Sequence, residues 1–472
     1  MNKLIPTIGL EVHLELKTKT KVFSNAINNY GSTPNTLVNE IDLGYPGVLP
    51  TVNYEVVKLA IKAAYLLNCK ISNLMHFDRK NYFYPDNSKG YQITQNETPI
   101  GRDGYIEIML DKGPKKIRIE RIHIEEDTAK SMHNKGRTLL DFNRAGVPLV
   151  EIVTHPDIES AQEAVLYLEK LKELMYYANI SDCKIEEGSM RCDANVSLKE
   201  KDSQILGTKC EIKNIGSINN VGIAINAEIL RQQELIDQDK KVIEQTRKLD
   251  EKTSTTILLR NKETGNDYRY FPEPDIPFIN LEESFIKEVL SELPIMPNVR
   301  RQIWQENNIS SINIEKLIQN RSLGDYLLGF KDINYLLASN LLLGEISAYL
   351  NKTNKLITET KLTPNKFIKL LELLDKKEIN NQIFKENVQL LLESDLITEE
   401  IFKDCKIKSL SVEELKTIIE LVIKNNLNSV QDYSKNKDRT LKYLMGQVMK
   451  NTKGLGDREL ILKYLEESLS SN

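Results

Sequence analysis

No Cys-x-x-Cys pair occurs in this 472-residue sequence, and its five cysteines, at 69, 183, 192, 210 and 405, are odd in number. Neither a cysteine zinc site nor a disulfide framework is expected, which suits a reducing compartment. No run of about 18 apolar residues is present, so no membrane-spanning helix is expected. The opening MNKLIPTIGLEVH lacks the apolar core of a secretory leader. These absences predict a soluble protein of the cytoplasm or of an organellar matrix. An excess of positive charge is missing too: 64 Lys and Arg stand against 68 Asp and Glu, a formal net charge of -4. A non-specific nucleic-acid binder is strongly basic, so any RNA contact must come from local patches. There is no Walker loop, no GxGxxG and no Gly-x-Ser-x-Gly elbow, which removes the common nucleotide folds and the serine hydrolases.

What remains is an ordinary globular composition, 28% charged and 40% hydrophobic, long enough for about two to four domains. All five histidines (13, 76, 123, 133 and 155) fall in the first third. Alternating runs predict strands over Ile5–Leu16, Tyr105–Leu110, Lys116–Glu126, Leu149–Thr154, Arg191–Leu198 and Lys209–Asn214. Helical spacing intervenes at Tyr54–Asn68, Ser160–Ala178 and Asn219–Gln238. This mixed order predicts an α+β N-terminal domain built on antiparallel sheet. Beyond the proline-punctuated Leu293–Asn298 the spacing turns helical at Val299–Asn307, Ile314–Gly329, Ile333–Leu350 and Thr363–Asp375. A vaguer boundary near Lys403–Ser409 precedes a small all-α tail. The expected domains are 1–294, 295–407 and 408–472.

Carboxylates stand inside several apolar strands. Period two puts Glu11 and His13 on one face of their strand and Leu10, Val12 and Leu14 on the other. Arg121, His123 and Glu125 share a face, as do Arg191 and Asp193, and Lys209, Glu211 and Lys213. Glu151 interrupts the run Val147–Val153. A charged strand face is usually the solvated side of a sheet. Were these faces to converge, they would make an oxygen-rich cation site with one histidine, suited to magnesium or manganese, with Lys and Arg left to hold phosphates. Cys192 and Cys210 alternate onto the apolar side, as buried fillers rather than nucleophiles.

Longer motifs add a resemblance. Ile8-Gly9-Leu10-Glu11-Val12-His13, Asn81-Tyr82-Phe83-Tyr84-Pro85-Asp86, Lys89-Gly90-Tyr91-Gln92-Ile93 and Arg121-Ile122-His123-Ile124-Glu125-Glu126-Asp127 resemble the GatB family. So do Asp141–Leu149, Met190–Ser197, Glu211–Asn214, Asp267–Asp275 and, near the end, Gly446–Lys450. The resemblance implies a catalytic cradle, a helical domain and a YqeY-like tail. It implies a glutamine-dependent carbon–nitrogen ligase: ATP and Mg2+ (or Mn2+) activate the side-chain carboxylate of Glu-tRNA(Gln) or Asp-tRNA(Asn) by phosphorylation. Ammonia would come from a GatA-like amidase, with a GatC-like small subunit completing a heterotrimer. The cysteine pairs of some relatives are absent, so no zinc is expected.

Carried over by resemblance, Glu11, His13, Glu125, Glu126, Glu151, Asp193 and Glu211 are candidate metal ligands, with Glu11, His13, Glu125 and Glu151 expected to be catalytic. Alternation sets Glu125 and Glu126 on opposite faces, which favours only one of them as a ligand. Lys80, Tyr82, Lys89, Arg191, Lys209 and Lys213 are expected at ATP, phosphates or the tRNA end. Lys435, Lys437, Arg439, Lys442, Lys450 and Lys453 form a basic tail stretch expected to meet the tRNA body. Asp127-Thr128-Ala129-Lys130, His155 and Gly216–Asn220 depart from the family's usual text. Two rival readings compete: a non-catalytic tRNA-binding adaptor and a free-standing metal hydrolase.

Overall fold

Alternation over Leu4–Glu15 makes strand β1, with Ile8, Leu10, Val12 and Leu14 buried along one face. β1 is the middle strand of a nine-stranded sheet in a computed structural model that describes residues 4–134, 136–201, 203–261, 268–405, 412–431, 433, 436–452 and 458–470. The other strands are β2 (Lys70–Ile71), β3 (Gly101–Leu110), β4 (Gly113–Glu126), β5 (Pro148–Thr154), β6 (Met190–Glu200), β7 (Cys210–Lys213), β8 (Gln245–Asp250) and β9 (Thr255–Asn261). Their order is β9-β8-β7-β6-β1-β5-β4-β3-β2, antiparallel except for the parallel β7–β8 pair.

Helices α1 (Tyr54–Leu66), α2 (Ala161–Tyr177) and α3 (Ile218–Asp237) start where Asn53, Ser160 and Ser217 cap a backbone N–H with their side chains. Their apolar stripes, including Val56, Ala60, Leu168, Leu171, Val221 and Ile225, join Ile8, Leu10, Val12, Ile122, Ile152 and Ala194 in one core. One face of the sheet is therefore covered and apolar. The charged residues stand on the other. Three smaller pairings complete the unit. Asp78–Asn81 lies between Tyr91–Thr94 and Phe271–Pro272. Leu74–Met75 pairs with Ile279–Asn280, and Lys130–Asn134 pairs with Arg137–Asp141.

The chain divides into two compact units, Met1–Pro297 and Asn298–Asn472. The second is helical throughout its described residues. Spacing predicts one helix over Ile314–Gly329, but two form, Ser311–Gln319 and Arg321–Leu328. Asn320 leaves the helical region (φ -104, ψ 82) and caps the second with its side chain. The helix expected from Ile333 starts at Tyr335 and is interrupted at Gly344 (φ -90, ψ -113). Asn381–Glu393 forms a helix that spacing does not announce, because only Phe384, Leu391 and Leu392 are buried along it. In the tail, Val412–Asn425, Lys437–Asn451 and Arg458–Ser470 share a core of Leu415, Ile419, Leu444, Val448, Ile461 and Leu465.

One buried carboxylate fastens α3 to the β8–β9 hairpin. Glu228 is fully buried and accepts hydrogen bonds from Arg231 (2.6 Å), Gln232 (2.8 Å) and Thr256 (2.8 Å), with Arg247 Nε at 3.4 Å. Burial alone would push its pKa up. The bonds from Arg231 and Gln232 and the Arg231 charge outweigh burial and hold it below the ordinary value. A depressed carboxylate stabilises fully above the unfolded pKa of about 4.3 and loses that contribution as pH falls through its lower native value. Glu228→Ala leaves Arg247 buried without its acid. It is expected to cost about 3–5 kcal/mol in denaturant unfolding at pH 7, with the gap to the parent narrowing in acid.

Candidate active site

The antiparallel register of β4, β5, β1 and β6 aligns charged residues in rows across the uncovered face. His123, Glu151, His13 and Arg191 are successive cross-strand partners, and so are Arg121, Val153, Glu11 and Asp193. Glu211 enters from β7, opposite Asn195. Period two then points these side chains to the same side.

They collect into two groups. In the first, His13 Nε2 lies 3.3 Å from Glu125 and 3.3 Å from Glu151. In the second, ligand atoms of Glu11, Asp193 and Glu211 lie within 4.8 Å of one another. Asn195 Nδ2 donates to Glu11 at 2.9 Å and Thr246 Oγ1 to Glu211 at 3.0 Å. Lys213 Nζ bridges Asp193 (2.5 Å) and Glu211 (3.1 Å). Glu125, Glu151 and Glu211 are buried, so this face is not the solvated side of a sheet.

Desolvation and like charge set the protonation states. Burial would lower the His13 pKa, but Glu151 and Glu125 raise it to about 10. Burial would raise Glu125 and Glu151. For Glu125 the His13 hydrogen bond and charge win, for Glu151 the charges of His123 and His13 win, and both carboxyls are held below the ordinary range. Glu11 goes the other way. Burial and then the charge of Glu151 push it up, with Lys213 opposing. Glu151 is thus electrostatically shared by the two groups.

The donor chemistry fits hard divalent cations. The first group offers two carboxylates and an imidazole nitrogen; with His13 neutral it carries two negative charges. The second offers three carboxylates, one charge of which Lys213 offsets. Oxygen-rich sets with one histidine suit magnesium or manganese.

Glu126 belongs to neither group. It faces away from Glu125, as alternation predicts, and accepts from Lys89 Nζ and from Ile93 N at 2.8 Å. Lys80 Nζ stands 5.1 Å from the Tyr268 ring centroid. Burial would lower its pKa, but Glu125 and Glu151 raise it. Tyr82 donates to Gln92 at 3.3 Å and meets Tyr268 edge-on. Tyr268 in turn meets Tyr270 edge-on. Arg191 Nη2 donates to Asp127 at 2.6 Å. Lys209 is exposed and lies before β7 rather than in it, so it joins neither group. In the second unit Lys437, Arg439, Lys442 and Lys450 are exposed on Lys437–Asn451, with Lys437 3.0 Å from Glu466. Lys435 and Lys453 lie outside the described residues.

Three residues that the motifs did not single out complete the geometry. His123 Nε2 lies 3.4 Å from Glu151, and alternation already puts it beside Glu125. Asn195 is legible in the same way, two residues from Asp193. Thr246 sits on β8, a strand the spacing of Gln245–Asp250 does not announce, so no local signal marks it.

Known proteins share this sequence nearly end to end. A family model described as the GatB/GatE catalytic domain matches residues 6–287, and one described as a GatB domain matches 330–469. The B subunit of the aspartyl/glutamyl-tRNA(Asn/Gln) amidotransferase of Geobacillus thermodenitrificans is 44% identical over 468 residues, 98% of each chain. Its namesakes from Halalkalibacterium halodurans and Bacillus anthracis are each 43% identical, again over 98% of both chains.

Because Glu151 acts on both groups, Glu151→Gln is expected to weaken Mn2+ binding by at least about ten-fold in a titration followed by electron paramagnetic resonance. Unchanged affinity would remove these groups as a cation site.

Proposed function

The chain belongs to the GatB/GatE family, and from that membership we propose that its first unit activates the side-chain carboxylate of Glu-tRNA(Gln) or Asp-tRNA(Asn) for amidation. It is a subunit of a tRNA-dependent amidotransferase, a ligase of protein biosynthesis. A carboxylate is a poor electrophile, because attack by ammonia would expel oxide. Phosphorylation removes that barrier. A carboxylate oxygen bonds to the γ-phosphorus of ATP as the bond to ADP breaks. Ammonia then bonds to the carbonyl carbon and inorganic phosphate leaves.

Glu125, Glu151 and His13 on one side and Glu11, Asp193 and Glu211 on the other would hold magnesium or manganese, which would supply positive charge to offset the charge that develops on the transferred group. The chain's own residues do the rest. Glu125 and Glu151 stay ionised beside a protonated His13, so they remain competent ligands, and His13 would offer its imidazole nitrogen only on giving up its proton as a cation took its place between them. Lys80 and Lys213 hold fixed positive charge at the edges of the face. Arg191 is oriented by Asp127 toward the same row as His13. No nucleophile is needed from this chain: Cys192 is buried and its thiol is pushed well above the ordinary value by burial. Ammonia is supplied by a GatA-like amidase partner, with a GatC-like subunit in the same complex. Residues 1–294 act as the catalytic cradle, 295–407 as a helical domain and 408–472 as the tail. Lys437, Arg439, Lys442 and Lys450, with Lys435 and Lys453, serve phosphate contacts to the tRNA body.

The observation that carries this reading is the gathering of two adjacent carboxylate groups on one sheet face, with Glu125, Glu151 and Glu211 buried. A pure RNA-binding adaptor gains nothing from desolvating such charges, each of which costs several kcal/mol unless compensated.

In the reconstituted three-subunit complex, Glu11→Ala, His13→Ala and Glu151→Ala are each expected to lower amide formation on mischarged tRNA by about 100-fold or more. Glutamine hydrolysis by the docked partner should persist. Normal amidation by all three variants would defeat the assignment. A chain ending at residue 410 is expected to raise the KM for tRNA with little change in kcat, and unchanged KM would exclude the tail from tRNA binding.

A further inference from the structure

Arg121 has no part in the roles assigned above, yet it stands at one end of the row that runs through Val153 and Glu11 to Asp193. Adjacent strands are about 4.8 Å apart, so its backbone lies about 10 Å from that of Glu11, with the half-buried Val153 between them. Alternation along β4 directs its side chain to the face that bears His123 and Glu125.

Two features separate Arg121 from a solvated surface cation. It is partly buried, and its Nε is shielded from solvent without a hydrogen-bond partner. It also makes no ion pair among the described residues, whereas Arg191 is held by Asp127 and Lys213 by Asp193 and Glu211. Lys80 is likewise without an acid at ion-pair distance among the described residues, and its ammonium faces the Tyr268 ring instead. The Tyr270 phenol lies within electrostatic range of Lys80, Arg121, Glu151 and Glu125.

A half-buried guanidinium with an unmet N–H is costly unless an anion completes it. Its planar fork matches the paired oxygens of a carboxylate or a phosphoryl group, where an ammonium is only a point charge. The acids nearby are committed to His13, His123 and, on the proposed reading, to cations. The missing anion must therefore come from the substrates.

We propose that Arg121, together with Lys80, forms an oxyanion subsite beside the first carboxylate group and grips the reacting oxyanion of the substrates. Its two possible sources are the side-chain carboxylate of the aminoacyl-tRNA and the γ-phosphoryl group of ATP. The inference rests on the proposed phosphoryl-transfer centre and adds a residue that touches the reacting atoms.

The test is steady-state amidation by the three-subunit complex carrying Arg121→Gln or Arg121→Lys, with ATP and mischarged tRNA varied separately. Melting temperature and partner glutaminase serve as controls. Arg121→Gln is expected to lower kcat/KM by about 100-fold with an unchanged melting temperature. Arg121→Lys, which keeps the charge and loses the fork, should fall between it and the parent. A raised KM for ATP assigns the phosphoryl group, and a raised KM for aminoacyl-tRNA assigns the carboxylate. A fall confined to kcat marks a contact made only in the transition state. Arg121→Gln within about three-fold of the parent would overturn the subsite, as would equal losses in both variants tracking a lowered melting temperature. If Glu151→Ala is inactive while Arg121→Gln is active, only this inference fails; if both are active, the proposed centre fails with it.

Discussion

Everything functional in the first unit depends on one electrostatic compromise: several carboxylates share one partly buried face of a sheet. Isolated, each would take up a proton or drive the structure apart. They persist because the register of β5, β1 and β6 interleaves them with bases. His13 stands between Glu125 and Glu151, His123 beside Glu151, and Lys213 between Asp193 and Glu211. The opposite face supports the arrangement. Ile8, Leu10, Val12, Ile122 and Ile152 are buried against α1, α2 and α3 in one core, which fixes the strands that hold the charges. A slip of one residue in β1 would send Glu11 and His13 into that core and Leu10 and Val12 out of it.

The compromise is uneven, and the unevenness is chemically useful. Glu125 and Glu151 are held ionised by the histidines, while Glu11 is pushed toward its protonated form by burial and by Glu151. Positive charge held against Glu151 in the first group would offset the repulsion that Glu151 exerts on Glu11 in the second. The cations on this face are graded in the same manner. Arg191 and Lys213 are tied to acids of the chain, while Lys80 and Arg121 make no ion pair among the described residues and are available to incoming anions. An enzyme that brings a nucleotide and an aminoacyl end together needs both kinds, one to keep the scaffold intact and one to meet incoming anions.

Much of this is legible in the sequence alone. Period two pairs Glu11 with His13, Arg191 with Asp193 and His123 with Glu125, and it separates Glu126 from Glu125. Composition and spacing together announce a sheet-rich first part and a helical remainder. What alternation cannot supply is which strands lie side by side. Glu151 comes between His123 and His13 only because β5 inserts between β4 and β1, strands about a hundred residues apart in sequence. Thr246 is invisible because Gln245–Asp250 has scant apolar content and borrows its place in the sheet from β7. Lys209 falls in an alternating run whose strand begins one residue later. In the second unit, one asparagine cap at Asn320 divides a stretch whose apolar spacing runs on unbroken.

Transfer of a phosphoryl group to a carboxylate on this face can be isolated by leaving ammonia out. With glutamine withheld, the complex is supplied with γ-labelled ATP, Mg2+ and mischarged tRNA, and release of labelled phosphate and transfer of label to the aminoacyl end are followed. The expected result is ATP cleavage that requires the mischarged tRNA and disappears in Glu151→Ala. Cleavage no greater than background with the intact complex, under conditions where added ammonia still yields amidated tRNA, would contradict it.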